Sequence, residues 1–139
     1  MKNPAEIIGN LIDKQSVSFI SSVDENGYPN TKAMLPSVKR EGIRTFYWHT
    51  NSPSARIGQY RNNPKACIYF YDKRFFRGVM LKGSMEILEN EEIKKEIWKD
   101  EFSMYYKGGM NGGDFIIIKF TAETGRYYSN FHSEDFKVE

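Results

Sequence analysis

One cysteine, Cys67, and two histidines, His49 and His132, are all the thiol and imidazole groups in a chain of 139 residues. An internal disulfide is therefore excluded, and no Cys/His cluster has zinc-ligand spacing. No apolar run approaches the ~18 residues that a membrane-spanning helix needs, and mean hydropathy is -0.62. The N-terminal stretch lacks the apolar core of a signal peptide, because Asn3, Glu6, Gly9, Asn10 and Asp13 interrupt it. These absences make a cytoplasmic protein the expectation. Glycine-rich phosphate loops of the GxGxxG or Walker type are missing, and helices do not alternate with strands, which argues against a Rossmann-type sheet.

Aromatic residues, by contrast, make up 15% of the chain, with 10 Phe, 9 Tyr and 2 Trp. In a chain this short they belong in strands, at an interface or around a flat ligand. Net charge is only +2, yet it is unevenly spread. Residues 1–82 carry 13 basic against 6 acidic side chains, and residues 83–139 carry 7 against 12. The basic part suits an anionic ligand, and the acidic part can meet it across a dimer; two differently charged solvated faces would look the same.

Periodicity predicts one domain over residues 1–139, mainly β with peripheral α. Pro4 to Gln15 reads as a short amphipathic helix through Ile7, Ile8, Leu11 and Ile12. Val17 to Val23 alternates as a strand and is followed by the hairpin signal Asp24-Glu25-Asn26-Gly27. Further strands are expected from Asn30 to Lys39, Ile43 to His49, Ala66 to Asp72 and Phe76 to Leu88. Phe115 to Thr121 and Gly125 to Asn130 read as a closing hairpin around Glu123-Thr124. Ser52 and Pro53 look like the cap and first position of a short helix through Ile57 and Tyr60. Glu91 to Phe102 reads as a helix with Ile93, Ile97 and Trp98 on its buried stripe. The sum is an antiparallel barrel of six or seven strands with short helices at its rims.

Chemistry concentrates where the third strand meets the short helix. Thr50, Ser54 and Arg56 place two hydroxyls and a permanent cation at a helix N-terminus, an arrangement suited to phosphate. Arg56 works against the helix dipole there, so an anionic ligand gives it a reason; a solvated arginine beside a simple cap is the plain alternative. Lys32, mid-strand, can reach the same anion if its strand pairs as the turns suggest. No Ser/His/Asp set can be argued beyond chance, and Cys67 reads as a buried, inert thiol. Any reaction is therefore expected to borrow its chemistry from a cofactor. Basic and aromatic residues interleave at Lys73-Arg74-Phe75-Phe76-Arg77, as a single-stranded nucleic-acid platform would require, but a solvated turn fits the low net charge better.

Four stretches together resemble the FMN-binding split-barrel superfamily of pyridoxamine 5'-phosphate oxidase, and most closely its short bacterial members related to general stress proteins. They are Gly27 to Met34, Phe46 to Arg56, Asn63 to Phe70, and Met80 to Ile87 with Trp98 and the Tyr105 to Asp114 loop. The resemblance implies a six- to seven-stranded antiparallel split β-barrel that is homodimeric, with FMN at the subunit interface. It implies that Lys32, Ser54 and Arg56 hold the phosphate, and that Ala33, Met34, Leu35, His49 and Thr50 line the rest of the flavin. The strand around Arg77 to Lys82, Trp98 and the Tyr105-Tyr106 loop would reach the flavin of the second subunit. Departures are Lys32 in place of arginine, Ala55 in place of a basic residue, and Arg77-Gly78 where the oxidase offers glutamine. They argue against pyridoxamine phosphate oxidation and leave FMN binding. Three readings follow: a flavin enzyme reducing a small acceptor, with NAD(P)H as donor and His49 as the catalytic candidate; a non-catalytic flavin-binding stress or redox protein; and a nucleic-acid-binding barrel. Haem or deazaflavin in the same barrel is a minority alternative.

Overall fold

Residues 2–139 are described by a computed structural model. Helix α1 (Pro4–Asp13) leads into strands β1 (Ser18–Val23) and β2 (Pro29–Met34). The short β3 (Lys39–Glu41) and β4 (Thr45–Asn51) precede helix α2 (Ala55–Asn62). The hairpin β5 (Lys65–Asp72) and β6 (Arg77–Leu88) follows, then helix α3 (Glu91–Ile97) and a 3₁₀ turn, Asp100–Met104. Strands β7 (Phe115–Ser129) and β8 (His132–Lys137) close the chain's fold. All pairings are antiparallel, in the order β2-β1-β5-β6-β7-β4-β3, with β8 added to the far half of β7. This is the mainly β, antiparallel architecture expected, with eight strands among the described residues.

Period-2 alternation places the side chains. Phe46 and Trp48 of β4 join Ile116, Ile118 and Phe120 of β7 in the main core, together with Ile8, Leu11 and Ile12 of α1. The intervening Tyr47, Phe115 and Ile117 face the other way, into a second cluster with Ile97, Phe102 and Tyr106. Both faces of β4 and β7 are therefore covered, which is why these strands read as apolar runs rather than clean alternation. Each fully buried Ile, Leu or Phe contributes roughly 1.5–3 kcal/mol.

Several local expectations change. Asn30 to Lys39 is not one strand: β2 stops at Met34 and β3 begins at Lys39. Pro36 between them has no N–H to give a ladder. The first turn is as anticipated, with Gly27 at φ 83° and Asp24 Oδ1 accepting the N–H of Asn26 and Tyr28. Glu123-Thr124 is not a turn but the middle of a 15-residue β7. There the β6–β7 register shifts at Lys82/Gly83, so Glu123 is accommodated as a bulge. Gly83 is required at that point, since a Cβ would lie 1.9 Å from the Thr121 carbonyl oxygen. The true hairpin turn lies at Asn130-Phe131, both at positive φ, and β8 was not anticipated. Helix α3 ends at Ile97, and Trp98 turns aside to pack edge-on against Phe115 at 4.9 Å.

Candidate functional site

Six of the eight flavin-site residues singled out above converge. Lys32, Leu35, His49, Thr50, Ser54 and Arg56 line one open cavity of about 380 Å³, joined by Asn51, Tyr105 and Tyr106. Ala33 and Met34 do not line it; Met34 instead packs against the main core. The convergence follows from register. Lys32 pairs with Ile20 across β1–β2, so its side chain shares the face of a core residue although β2 itself is exposed. At the opposite wall, β4 ends in His49-Thr50-Asn51, and α2 starts four residues later.

The helix start differs from expectation. Ser54, not Ser52, occupies the cap, and Ala55 rather than Pro53 begins α2. Ser54 is extended, and its carbonyl accepts the Ile57 N–H, while its hydroxyl caps nothing. The Oγ of Ser54 is buried without a partner, and so is the Nε of Arg56. Arg56 Nη2 donates to Thr50 Oγ1 at 3.1 Å. Burial pushes the Arg56 pKa down from its ordinary value, and no acidic side chain lines the cavity to offset that cost. Among the described ion pairs, neither Lys32 nor Arg56 takes part. Two cationic residues thus line one concavity with nothing negative to meet them, and a hydroxyl and a guanidinium N–H of its lining residues stay buried without partners. Buried polar groups are normally satisfied, so this arrangement fits a phosphate, which supplies charge and acceptor oxygens together. The α2 N-terminus adds its free N–H groups.

His49 sits deeper. Its Nδ1 lies 2.7 Å from the Tyr106 hydroxyl, not on backbone as a plain strand-end histidine would be. Phe102 lies against its ring at 4.2 Å between centroids, and Tyr105, Tyr106 and Phe115 complete an aromatic surround. Burial lowers its pKa, favouring the neutral imidazole.

Of the candidates assigned to a second subunit, Trp98 and Tyr105 both contact the Tyr106 ring, and Arg77 lies at the β5–β6 turn. Tyr105 lines the cavity of its own chain and is exposed. Trp98 belongs to the second apolar cluster. Arg77 forms an ion pair with Asp72 at the β5–β6 turn, and Arg74 and Arg77 both lie over the Phe75 ring, at 5.0 and 5.1 Å. Arg74 and Arg77 are thus engaged within the chain. Cys67 is half-buried rather than buried, with its Sγ 3.2 Å from Ser21 Oγ. Sequence reasoning missed Asn51 altogether and sent Tyr106 towards a partner's flavin; neighbours across a sheet and a loop carry no local signal.

The chain matches the family model described as pyridoxamine 5'-phosphate oxidase over residues 6–129. Among curated proteins, the pyridoxine/pyridoxamine 5'-phosphate oxidase of Legionella pneumophila (strain Lens) is 29% identical over 87 residues, which cover 63% of this chain and 40% of that protein. The match thus spans about two fifths of that relative's length. Among solved structures, a Clostridium acetobutylicum protein related to general stress protein 26 of B. subtilis superposes with a TM-score of 0.88. It is 34% identical, with 99% of this chain and 96% of that chain covered, and is described as of the pyridoxinephosphate oxidase family. A heme binding protein from Mycobacterium smegmatis reaches a TM-score of 0.77 at 15% identity, covering 99% of this chain and 59% of that one. At that identity the likeness concerns the fold alone.

Proposed function

Because this chain belongs to the pyridoxamine 5'-phosphate oxidase family, we propose that its cavity binds FMN and that the protein is a flavin-dependent oxidoreductase acting on a small acceptor. The observation that carries this reading is the pair of buried, unpartnered atoms, Ser54 Oγ and Arg56 Nε, in a cavity with cations and no acid. Arg56, Lys32 and Ser54 would hold the phosphate. Thr50 orients the Arg56 guanidinium through its hydroxyl. Leu35, Tyr105 and the ring of His49 supply apolar and aromatic surface that limits water around a flat ring system. Bound FMN would supply reversible electron transfer, which no side chain here provides. A reduced nicotinamide is the proposed electron source and an oxygen-bearing electrophile such as a quinone or nitroaromatic the proposed acceptor.

A homodimer with the flavin at the subunit interface is part of the same proposal. The β2 edge, exposed from Pro29 to Ala33, and the exposed Leu35 and Tyr105 beside the cavity support it, since lone edge strands and apolar rims of this kind are normally covered. The test is an absorption spectrum before and after FMN addition, with light scattering for mass. A flavin spectrum, a species of twice 16.2 kDa and bleaching by NAD(P)H under argon are expected. A stable flavin that no donor bleaches makes the protein a non-catalytic flavin carrier; failure to take up FMN, or a haem spectrum, overturns the reading.

A further inference from the structure

The Tyr106 side chain is buried and packs edge-on against Phe115 at 5.1 Å. Among the described residues its hydroxyl has one partner, His49 Nδ1, at 2.7 Å. A phenol has one proton to give, and the Nδ1 of a neutral imidazole either gives or takes one. If Nδ1 carried the proton, the Tyr106 O–H would lose its one acceptor within the described residues and would have only the cavity left to donate into. If His49 were protonated, a cation would sit among the rings of Phe102, Tyr105 and Phe115, beside a cavity that already holds Lys32 and Arg56. Burial opposes that, lowering the His49 pKa. Burial also pushes the Tyr106 phenol up to about 12, so it keeps its proton. The arrangement that satisfies the pair within the chain has the phenol donating and Nδ1 accepting. His49 Nε2 then bears the ring proton. It has no partner among the described residues and is not one of the buried, orphaned atoms, so it is accessible, on a residue that lines the cavity.

We propose that Tyr106 is a positioning residue: its phenol donates to His49 Nδ1, fixes the imidazole as the Nε2–H tautomer, and makes the cavity select a ligand that presents a carbonyl- or nitro-type oxygen to that N–H. The hydrogen-bond assignment stands without any cofactor. The identity of the oxygen rests on the FMN reading, and two sources share the chemistry: the flavin's own carbonyl and the oxygen of a quinone or nitro acceptor. No proton need leave the ring for this selection, because a fixed donor already discriminates acceptor oxygens from groups that are themselves donors.

The test is a ¹⁵N histidine-ring spectrum of the full chain, with His49→Gln assigning the signals against His132. At pH 7.5 the wild type is expected to show an unprotonated Nδ1 and a protonated Nε2 at His49. Tyr106→Phe keeps the ring packing, and it should move the Nδ1 resonance towards that of a nitrogen without a donor. A protonated Nδ1 in the wild type, or an Nδ1 resonance unmoved in Tyr106→Phe, overturns the assignment; the first measurement needs no variant. FMN is then added, followed by menadione. Movement of the Nε2–H signal with FMN alone identifies the flavin oxygen, and movement only with menadione identifies the acceptor's. No movement with either, while absorbance shows FMN bound, refutes the ligand selection. If absorbance shows no FMN uptake but the Nδ1 result holds, the cofactor reading fails and this one stands, with menadione alone deciding the rest.

Discussion

Replacing Arg56 with methionine separates ligand binding from folding, because the two respond in opposite directions. In the free protein the guanidinium is half-buried, hydrogen-bonded to Thr50 Oγ1 and to no carboxylate, and its Nε is orphaned. Burial lowers its pKa. For a cation, that sign means the charged form is less comfortable in the folded chain than in the unfolded one. Methionine keeps the stem's packing and removes this cost, so the apo protein should unfold at the same temperature or higher. With FMN the balance reverses. A hydrogen bond to a charged group is worth about 1.5–3 kcal/mol, and about 1.4 kcal/mol is tenfold in affinity. The FMN Kd should therefore weaken roughly 10- to 100-fold. Arg56→Lys, which keeps charge but loses the fork, should fall in between. Quenching of flavin fluorescence on titration reads the Kd, and thermal denaturation of the apo protein reads stability. An unchanged Kd refutes the phosphate assignment. A melting temperature lowered as far as by a core deletion shows that Arg56 is structural instead.

Further outcomes follow from the same geometry. Ser54→Ala removes a buried hydroxyl that has no partner, so apo stability should hold or rise while FMN affinity falls by roughly 3- to 10-fold, the worth of about one ordinary hydrogen bond; a destabilised apo protein would contradict this. Gly83→Ala sets a Cβ against the Thr121 carbonyl oxygen and should cost about 1–3 kcal/mol or more in urea unfolding, and an unmoved midpoint would show that the bulge yields. The depressed pKa of His49 means that the unfolded chain takes up its proton first as pH falls below about 6.5, the ordinary histidine value. Stability should accordingly drop from pH 7.5 to 5.5, and more steeply in the wild type than in His49→Gln; equal slopes in the two proteins would remove the burial argument.

Much of this was legible before any coordinates. Alternation in Val17 to Val23 and the Asp24–Gly27 turn are local properties, and both appear in the fold. The cationic site was legible because Thr50, Ser54 and Arg56 lie within seven residues of one another, at a strand-to-helix junction whose free N–H groups favour an anion. Errors fell where local signals mislead. Glu123-Thr124 looks polar enough for a turn, yet Gly83 opposite lets β7 run through it as a bulge. Phe131 at φ 62° occupies a real turn that an aromatic residue does not advertise.

By itself, the sequence determined the fold class, the antiparallel hairpins and the positive side of the cavity, because strand period, turn chemistry and permanent charge are written residue by residue. Tertiary structure alone decided that Lys32 and Arg56 face one cavity, that Ser54 and Arg56 keep unsatisfied polar atoms there, and that Tyr106 meets His49 from 57 residues away. Those facts depend on register across β1–β2 and on how the loop after the 3₁₀ turn packs over β4 and β7, and burial removes water as the alternative partner only once that packing exists.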